Sequence, residues 1–228
     1  MVDVVRTPTN TILDELIGGG FENDVITTIY GPAGAGKTNI CVLAAINVAK
    51  KGGKVLFIDT EGGFSAERAR QICGEDTKAV LDRIFFFNPT DFKEQQESFE
   101  KMKDIIGEEI KLIVIDTISM HYRLELGSNS EISDTNTALV RQVAYLTQIA
   151  RKSNIPVLIS NQVYADFENP NGIKMVGGDI LKSWSKCLIE LQAGHNGIRK
   201  ATLIKHRSLP QSREILFRIV NEGIVSVE

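Results

Sequence analysis

The sequence has no long apolar run. Its apolar runs, such as Leu112-Ile113-Val114-Ile115, fall far short of the ~20 residues a helix needs to cross a bilayer, so a membrane-spanning helix is excluded. Asp3, Arg6 and Asn10 break up any early apolar stretch, and no secretory signal is expected. Cysteine is scarce. Cys41, Cys73 and Cys187 are odd in number with no close pair, which fits neither a disulfide framework nor a zinc site. Each sits among apolar residues and reads as a packing side chain, and the expected compartment is reducing and cytoplasmic. An excess of one charge is missing too: 26 Lys and Arg face 29 Asp and Glu, a net charge of −3 that rules out a generic polyanion binder. There is no internal repeat, no low-complexity tract and no linker.

The chain is 228 residues long, 43% apolar and 24% charged, which is globular composition. At this length one domain buries roughly three quarters of the surface its unfolded chain exposes, so residues 1–228 are expected to form a single domain. Short apolar strands alternate with helical periodicity. Val25–Tyr30, Val55–Ile58, Ile84–Phe87, Leu112–Ile115 and Pro156–Ser160 read as strands, separated by helices over Lys37–Lys51, Glu67–Cys73, Asp91–Ile106 and Thr135–Lys152. A further helical segment, Thr11–Ile17, precedes the first strand. The three phenylalanines Phe85, Phe86 and Phe87 read as a strand buried on both faces. From Lys186 onward strand follows strand: Cys187–Leu191, Lys200–Ile204 and Ile215–Val220. The expected fold is α/β, with a mostly parallel central sheet, helices on both faces and antiparallel C-terminal strands. Residues 171–228 hold nine Lys and Arg against five Asp and Glu, which hints at a basic face from the C-terminal part.

The segment Gly31-Pro32-Ala33-Gly34-Ala35-Gly36-Lys37-Thr38 matches the pattern G-x-x-x-x-G-K-S/T completely and lies between an expected strand and an expected helix. Glycines let the backbone curl until successive N–H groups point at phosphate oxygens, and the following helix N-terminus reinforces the anion site. With Asn39, these residues form the expected nucleotide-binding set. Lys37 would reach the β- and γ-phosphates and the Thr38 hydroxyl would ligate Mg2+, so ATP and Mg2+ are the expected cofactors. Asp116 ends an apolar strand at the edge where open parallel sheets bind ligands, and it would hold the metal together with Thr38; capping of the next turn is the plainer alternative. Asp59-Thr60-Glu61 also follows an apolar strand. Spacing favours Glu61 as the group that orients and deprotonates an attacking water, while Asp59 either competes for that role or satisfies turn N–H groups. Asn161 and Gln162 follow Val157-Leu158-Ile159, where an amide can sense a γ-phosphate without charge; a turn-forming Asn with an exposed Gln fits equally well.

Together these residues resemble the core of the RecA/RadA recombinase family, over nearly the whole chain. Asp59-Thr60-Glu61-Gly62-Gly63-Phe64-Ser65-Ala66-Glu67-Arg68 is similar to the family's D-T-E-G-x-F-x-P-E-R, with Ala66 in place of Pro. Residues Thr11–Gly20 resemble the stretch before the first core strand. Asp116–Arg123 resembles the segment that opens the first DNA-binding loop, Asn161-Gln162-Val163 matches the N-Q-V that opens the second, and His206-Arg207-Ser208 resembles a C-terminal segment. The resemblance implies a RecA-like P-loop ATPase core with Glu61 as the catalytic, water-activating glutamate and Gln162 as the γ-phosphate sensor. It also implies Arg68 near the nucleotide base, and loops after Ser119 and Val163 that face DNA.

Departures from that family shape the functional expectation. Full-length archaeal and eukaryotic recombinases carry an N-terminal helix-hairpin-helix domain and an aromatic polymerisation motif, and neither is expected in the 30 residues before Gly31. The second loop mixes Asp166 and Glu168 with Lys174 and lacks an obvious basic, Gly-rich pattern. The expectation is therefore an ATP-binding, DNA-binding accessory protein of homologous recombination and repair, with weak ATPase activity and a monomeric or small oligomeric state. Single-stranded or branched DNA is the preferred expected partner, alongside recombination or replication proteins. Arg123, Lys174, Lys205 and Arg207 are the candidate DNA contacts. The alternatives are an ATP-switched protein-interaction module and a KaiC-like RecA-fold regulator.

Overall fold

The computed structural model describes residues 4–127, 132–166 and 173–227. A short pair, β1 (Arg6–Thr7) and β2 (Phe21–Glu22), brackets α1 (Ile12–Leu16). The β-branched run of β3 (Ile26–Tyr30) is buried throughout and leads through residues 31–36 into α2 (Lys37–Lys50). Then come β4 (Lys54–Asp59), α3 (Ala66–Cys73), α4 (Thr77–Leu81), β5 (Ile84–Phe87), α5 (Phe92–Ile105), β6 (Ile110–Asp116), α6 (Met120–Gly127), α7 (Ile132–Ser153) and β7 (Val157–Asn161). A small hairpin, β8 (Val163–Ala165) and β9 (Ile173–Met175), precedes α8 (Gly178–Trp184). The chain finishes with β10 (Cys187–Ala193), β11 (Ile198–His206), β12 (Glu214–Val220) and β13 (Gly223–Val227). Among the described residues no helix is long and apolar enough to cross a membrane.

Nine strands form one sheet in the order β13-β12-β11-β10-β3-β7-β6-β4-β5. The six strands from β10 to β5 run parallel, and β11, β12 and β13 extend the sheet antiparallel. Alternation along each parallel strand divides the core between the two faces. Val55, Phe57, Leu112 and Val114 point into the layer of α1 to α4, while Leu56, Ile58, Ile113 and Ile115 point into the layer of α5 to α8. Each such fully buried aliphatic side chain contributes roughly 1.5–3 kcal/mol, so a strand covered on both faces reads as a continuous apolar run.

One strand departs from its sequence reading. Phe85 and Phe87 are half-buried and Phe86 is 36% exposed. The reason is sheet order: β5 is an edge strand that pairs only with β4. Phe86 joins a side cluster instead, its ring edge-on to Phe64 at 4.5 Å and tilted on Phe57 at 5.8 Å, while Phe85 and Phe87 pack against the layer of α5 to α8. Three helices (α4, α6 and α8) and five strands (β1, β2, β8, β9 and β13) are not legible from periodicity. The Cys41, Cys73 and Cys187 thiols are free and buried, as packing residues would be.

Candidate functional site

The parallel strands place their C-terminal ends along one edge of the sheet, with Asp59 in register with Asp116 and Tyr30 with Asn161. The loop 31–36 rises from this edge and is gripped by the C-terminal strands. A Cβ on Gly31 would stand 2.1 Å from the Leu191 carbonyl oxygen of β10, so no side chain fits there. At Gly34 the carbonyl accepts a hydrogen bond from Arg199 Nε of β11 at 3.1 Å. Gly36 caps α2 in the left-handed region (φ +100°), and a Cβ there would meet Ile219 Cδ1 at 3.2 Å and Arg199 Cδ at 3.4 Å. Three successive strands thus touch three glycines of one loop.

Lys37 folds back over that loop, its Nζ donating to the carbonyls of Gly31 (2.8 Å) and Pro32 (3.0 Å). Burial draws this ammonium below the ordinary lysine value, while Glu61 and Asp116 pull it back up. Asp116 is 3% exposed and accepts from the Ser160 hydroxyl, and the Thr38 hydroxyl beside it favours its charged form. Burial raises its carboxyl above the usual range, the two hydroxyls offset part of that, and Glu61 and Asp59 add to it. A buried carboxylate beside the Thr38 hydroxyl offers oxygen donors of the kind a hard divalent cation takes.

The structure separates the two carboxylates after β4. Asp59 is buried, and its oxygens accept the backbone N–H groups of Glu61 (3.3 Å), Gly63 (3.0 Å) and Phe64 (2.9 Å), so it shapes the turn. Glu61 is exposed on the same edge and accepts from Gln162 Nε2 at 2.5 Å. The Gln162 backbone N–H donates to Ser119 Oγ at 3.3 Å, while its buried Oε1 has no partner. Asn161 turns to the other face of the sheet, donating to the Val176 carbonyl at 3.0 Å. Thr60, Thr117 and Ser160 cross-link the ends of β4, β6 and β7 through the Thr60 hydroxyl (2.7 Å to the Thr117 carbonyl) and the Thr117 hydroxyl (2.6 Å to the Ser160 carbonyl).

Arg68 lies beside Asn39, with Nε donating to Asn39 Oδ1 at 3.1 Å. Its remaining bonds go to Gln71 and to the carbonyls of Asn221 (2.8 Å) and Gly223 (3.1 Å), so it ties α3 to the turn between β12 and β13. Arg199, on β11, bonds the loop and was missed by the sequence reading. The only signal for it was the turn at Gly194–Gly197, which starts the returning strand at the loop end of the sheet.

The four candidate DNA cations do not share a surface. Arg123, on α6, is exposed and lines a groove of about 890 Å³ with Tyr122, Asn136, Tyr164, Gly177 and Asp179. Lys174 sits on the same edge of the sheet, paired with Asp166 at 2.9 Å. Glu168 lies outside the described residues. The antiparallel register sends Lys205 and Arg207 to the opposite edge, because His206 pairs with Cys187 while Arg199 pairs with Ala193. There Lys205 donates to the Lys182 carbonyl at 2.6 Å, and Arg207 bonds Glu22 and, at 3.1 Å, Asp24. The basic surplus of residues 171–228 is therefore divided between two edges and makes no single face. Trp184, the last residue of α8, packs against the core under α5 to α8. Among the described residues no cluster of His, Cys, Asp or Glu could hold a metal ion by itself.

Residues 2–227 match the Rad51 family. The DNA repair and recombination protein RadB of Methanococcoides burtonii is 42% identical over 212 residues, 93% of this chain and 93% of that protein. The protein of the same description from Methanobrevibacter smithii is 39% identical over 226 residues, 96% of this chain and 95% of its own. A crystal structure of the RadB recombinase matches with a TM-score of 0.82 at 37% sequence identity, covering 96% of this chain and 99% of that one.

Proposed function

The chain belongs to the Rad51 family, with the RecA-like fold of its RadB relatives, and on that premise we propose that it is an ATP-dependent DNA-binding accessory protein of homologous recombination and DNA repair. The observation that carries the reading is the meeting, at one sheet edge, of Lys37, Thr38, Asp116 and Glu61 around a loop whose glycines Gly31 and Gly36 pack against β10 to β12. In this reading the loop 31–38 binds the triphosphate, and Lys37 exchanges its two carbonyl partners for phosphate oxygens. Thr38 and Asp116 hold Mg2+, which when bound neutralises charge on the β- and γ-phosphates. Glu61 orients the attacking water and accepts its proton. Gln162, bonded to Glu61, reads the γ-phosphate and passes its state to the segments after Ser119 and Val163, which contact DNA. Because Glu61 is already engaged by an amide, the hydrolysis proposed is slow.

The experiment is a calorimetric titration of Mg·ATP into the wild-type protein and the Lys37→Ala variant. Wild-type binding and an affinity about 10²–10⁴-fold weaker in the variant are expected, the loss of two charge-assisted hydrogen bonds. Equal affinity in the two proteins overturns the assignment of the loop.

A further inference from the structure

Arg199 lies 165 positions from Gly34 in sequence, yet its Nε donates to the Gly34 carbonyl at 3.1 Å. Its Nη1 donates to the Gly197 carbonyl at 2.9 Å, so the guanidinium is clamped between the loop and its own turn. A trans peptide directs its carbonyl and its N–H to opposite sides. Holding the Gly34 carbonyl outward on Arg199 therefore turns the Ala35 N–H inward. Inside the loop, that N–H meets the Pro32 carbonyl at 3.3 Å, a long bond, and the same oxygen takes Lys37 Nζ at 3.0 Å. Two donors converge on one backbone oxygen that a phosphate oxygen can replace.

We propose that Arg199 is a positioning residue of the phosphate-binding loop, which by anchoring the Gly34 carbonyl aims the Ala35 N–H at the bound phosphate. The inference rests on the reading of residues 31–38 as the triphosphate site. It assigns the antiparallel end of the sheet a part in nucleotide affinity, since β11 carries the anchor and neighbouring side chains Phe217 and Ile219 back Gly36. Lysine is a poor substitute, because a single ammonium does not reproduce a fixed fork that bonds two carbonyls.

The test measures ATP and adenosine affinities of the full chain for the wild type, Lys37→Ala, Arg199→Met and Arg199→Lys. Methionine keeps an apolar stem against Gly36 and removes the donors. Arg199→Met is expected to bind ATP about tenfold more weakly, the equivalent of one hydrogen bond, with adenosine affinity unchanged and partial recovery in Arg199→Lys. Wild-type ATP affinity in Arg199→Met, or equal weakening for ATP and adenosine, overturns the role of Arg199 while the Lys37→Ala loss upholds the site. A wild type that does not bind ATP removes both. The wild-type protein gives an independent reading if Arg199→Met does not fold: the Ala35 amide proton must move downfield on ATP addition, and an unresponsive amide overturns the proposal.

Discussion

Gln162 Nε2 stands 2.5 Å from Glu61 Oε1, joining the loop after β7 to the loop after β4 across 101 positions of sequence. The amide holds the carboxylate with one end, while its own oxygen is buried without a partner. A buried unpaired acceptor costs on the order of 1–3 kcal/mol, so the pair is poised to rearrange when a better partner arrives. The Gln162 backbone is bonded to Ser119, the residue before α6, and its carbonyl accepts the Val176 N–H at 3.1 Å, just past the β8–β9 hairpin. A change at Glu61 therefore has a short bonded route to both.

Two variants separate chemistry from coupling. Glu61→Gln fills the same space without a basic oxygen, so it should retain ATP and lose about 10²–10⁴-fold in hydrolysis rate, measured by phosphate release. Gln162→Ala should bind ATP nearly as wild type but make DNA affinity insensitive to nucleotide. Unchanged turnover in Glu61→Gln would move the base elsewhere.

Asp116→Asn should split stability from metal use. Burial works against the Asp116 charge, and removing it relieves that cost while Ser160 can still bond the amide oxygen. The metal-free variant should melt at or above the wild-type temperature, yet its ATP affinity should no longer rise on adding Mg2+. A large drop in melting temperature would mark Asp116 as a purely structural cap.

His206 gives a pH signature away from the site. Its Nδ1 accepts from the backbone N–H groups of Ser208 and Leu209, both at 3.1 Å, and its Nε2 faces Glu22 at 3.8 Å. Burial, joined by Arg6, Arg207 and Arg213, lowers its pKa from 6.5 against the pull of Glu22. The neutral form is thus favoured on folding, and its stabilisation is present above pH 6.5 and lost as the pH falls through the lowered value. Melting temperature should decline below pH 6.5 more steeply in the wild type than in His206→Asn, whose side-chain oxygen keeps an acceptor without titrating. Identical pH profiles would contradict this.

Arg123 and Arg207 should behave oppositely when replaced by alanine. Arg123→Ala should weaken DNA binding about uniformly across sequences and lower the salt slope by roughly one, with little change in melting temperature. Arg207→Ala leaves Glu22, 3% exposed, with one cation fewer, and should cost stability while DNA affinity holds. Gel-shift titrations at several salt concentrations and thermal melts decide both.

The parts of the fold legible in sequence were those set by local rules. The β-branched run of β3, the glycine spacing of 31–36 and the helix from Lys37 are all fixed within about 25 residues, and Asp116 and Glu61 follow from apolar strands that end in acids. What was not legible depends on sheet order and register. Phe86 looked internal because three phenylalanines carry no mark of an edge. Lys205 and Arg207 looked like part of a basic face because sequence does not say which end of β11 meets the nucleotide edge. Arg199 was hidden for the same reason, since its partner Gly34 lies 165 positions away.

The most direct test of the central claim is a DNA-binding titration with single-stranded DNA, with and without ATP, at two salt concentrations, in the wild type and Lys37→Ala. The account predicts wild-type affinity that falls steeply with salt, because phosphate contacts release counterions, and that ATP changes only when Lys37 is present. DNA affinity that ignores ATP in the wild type, or the absence of salt-dependent binding altogether, would contradict it.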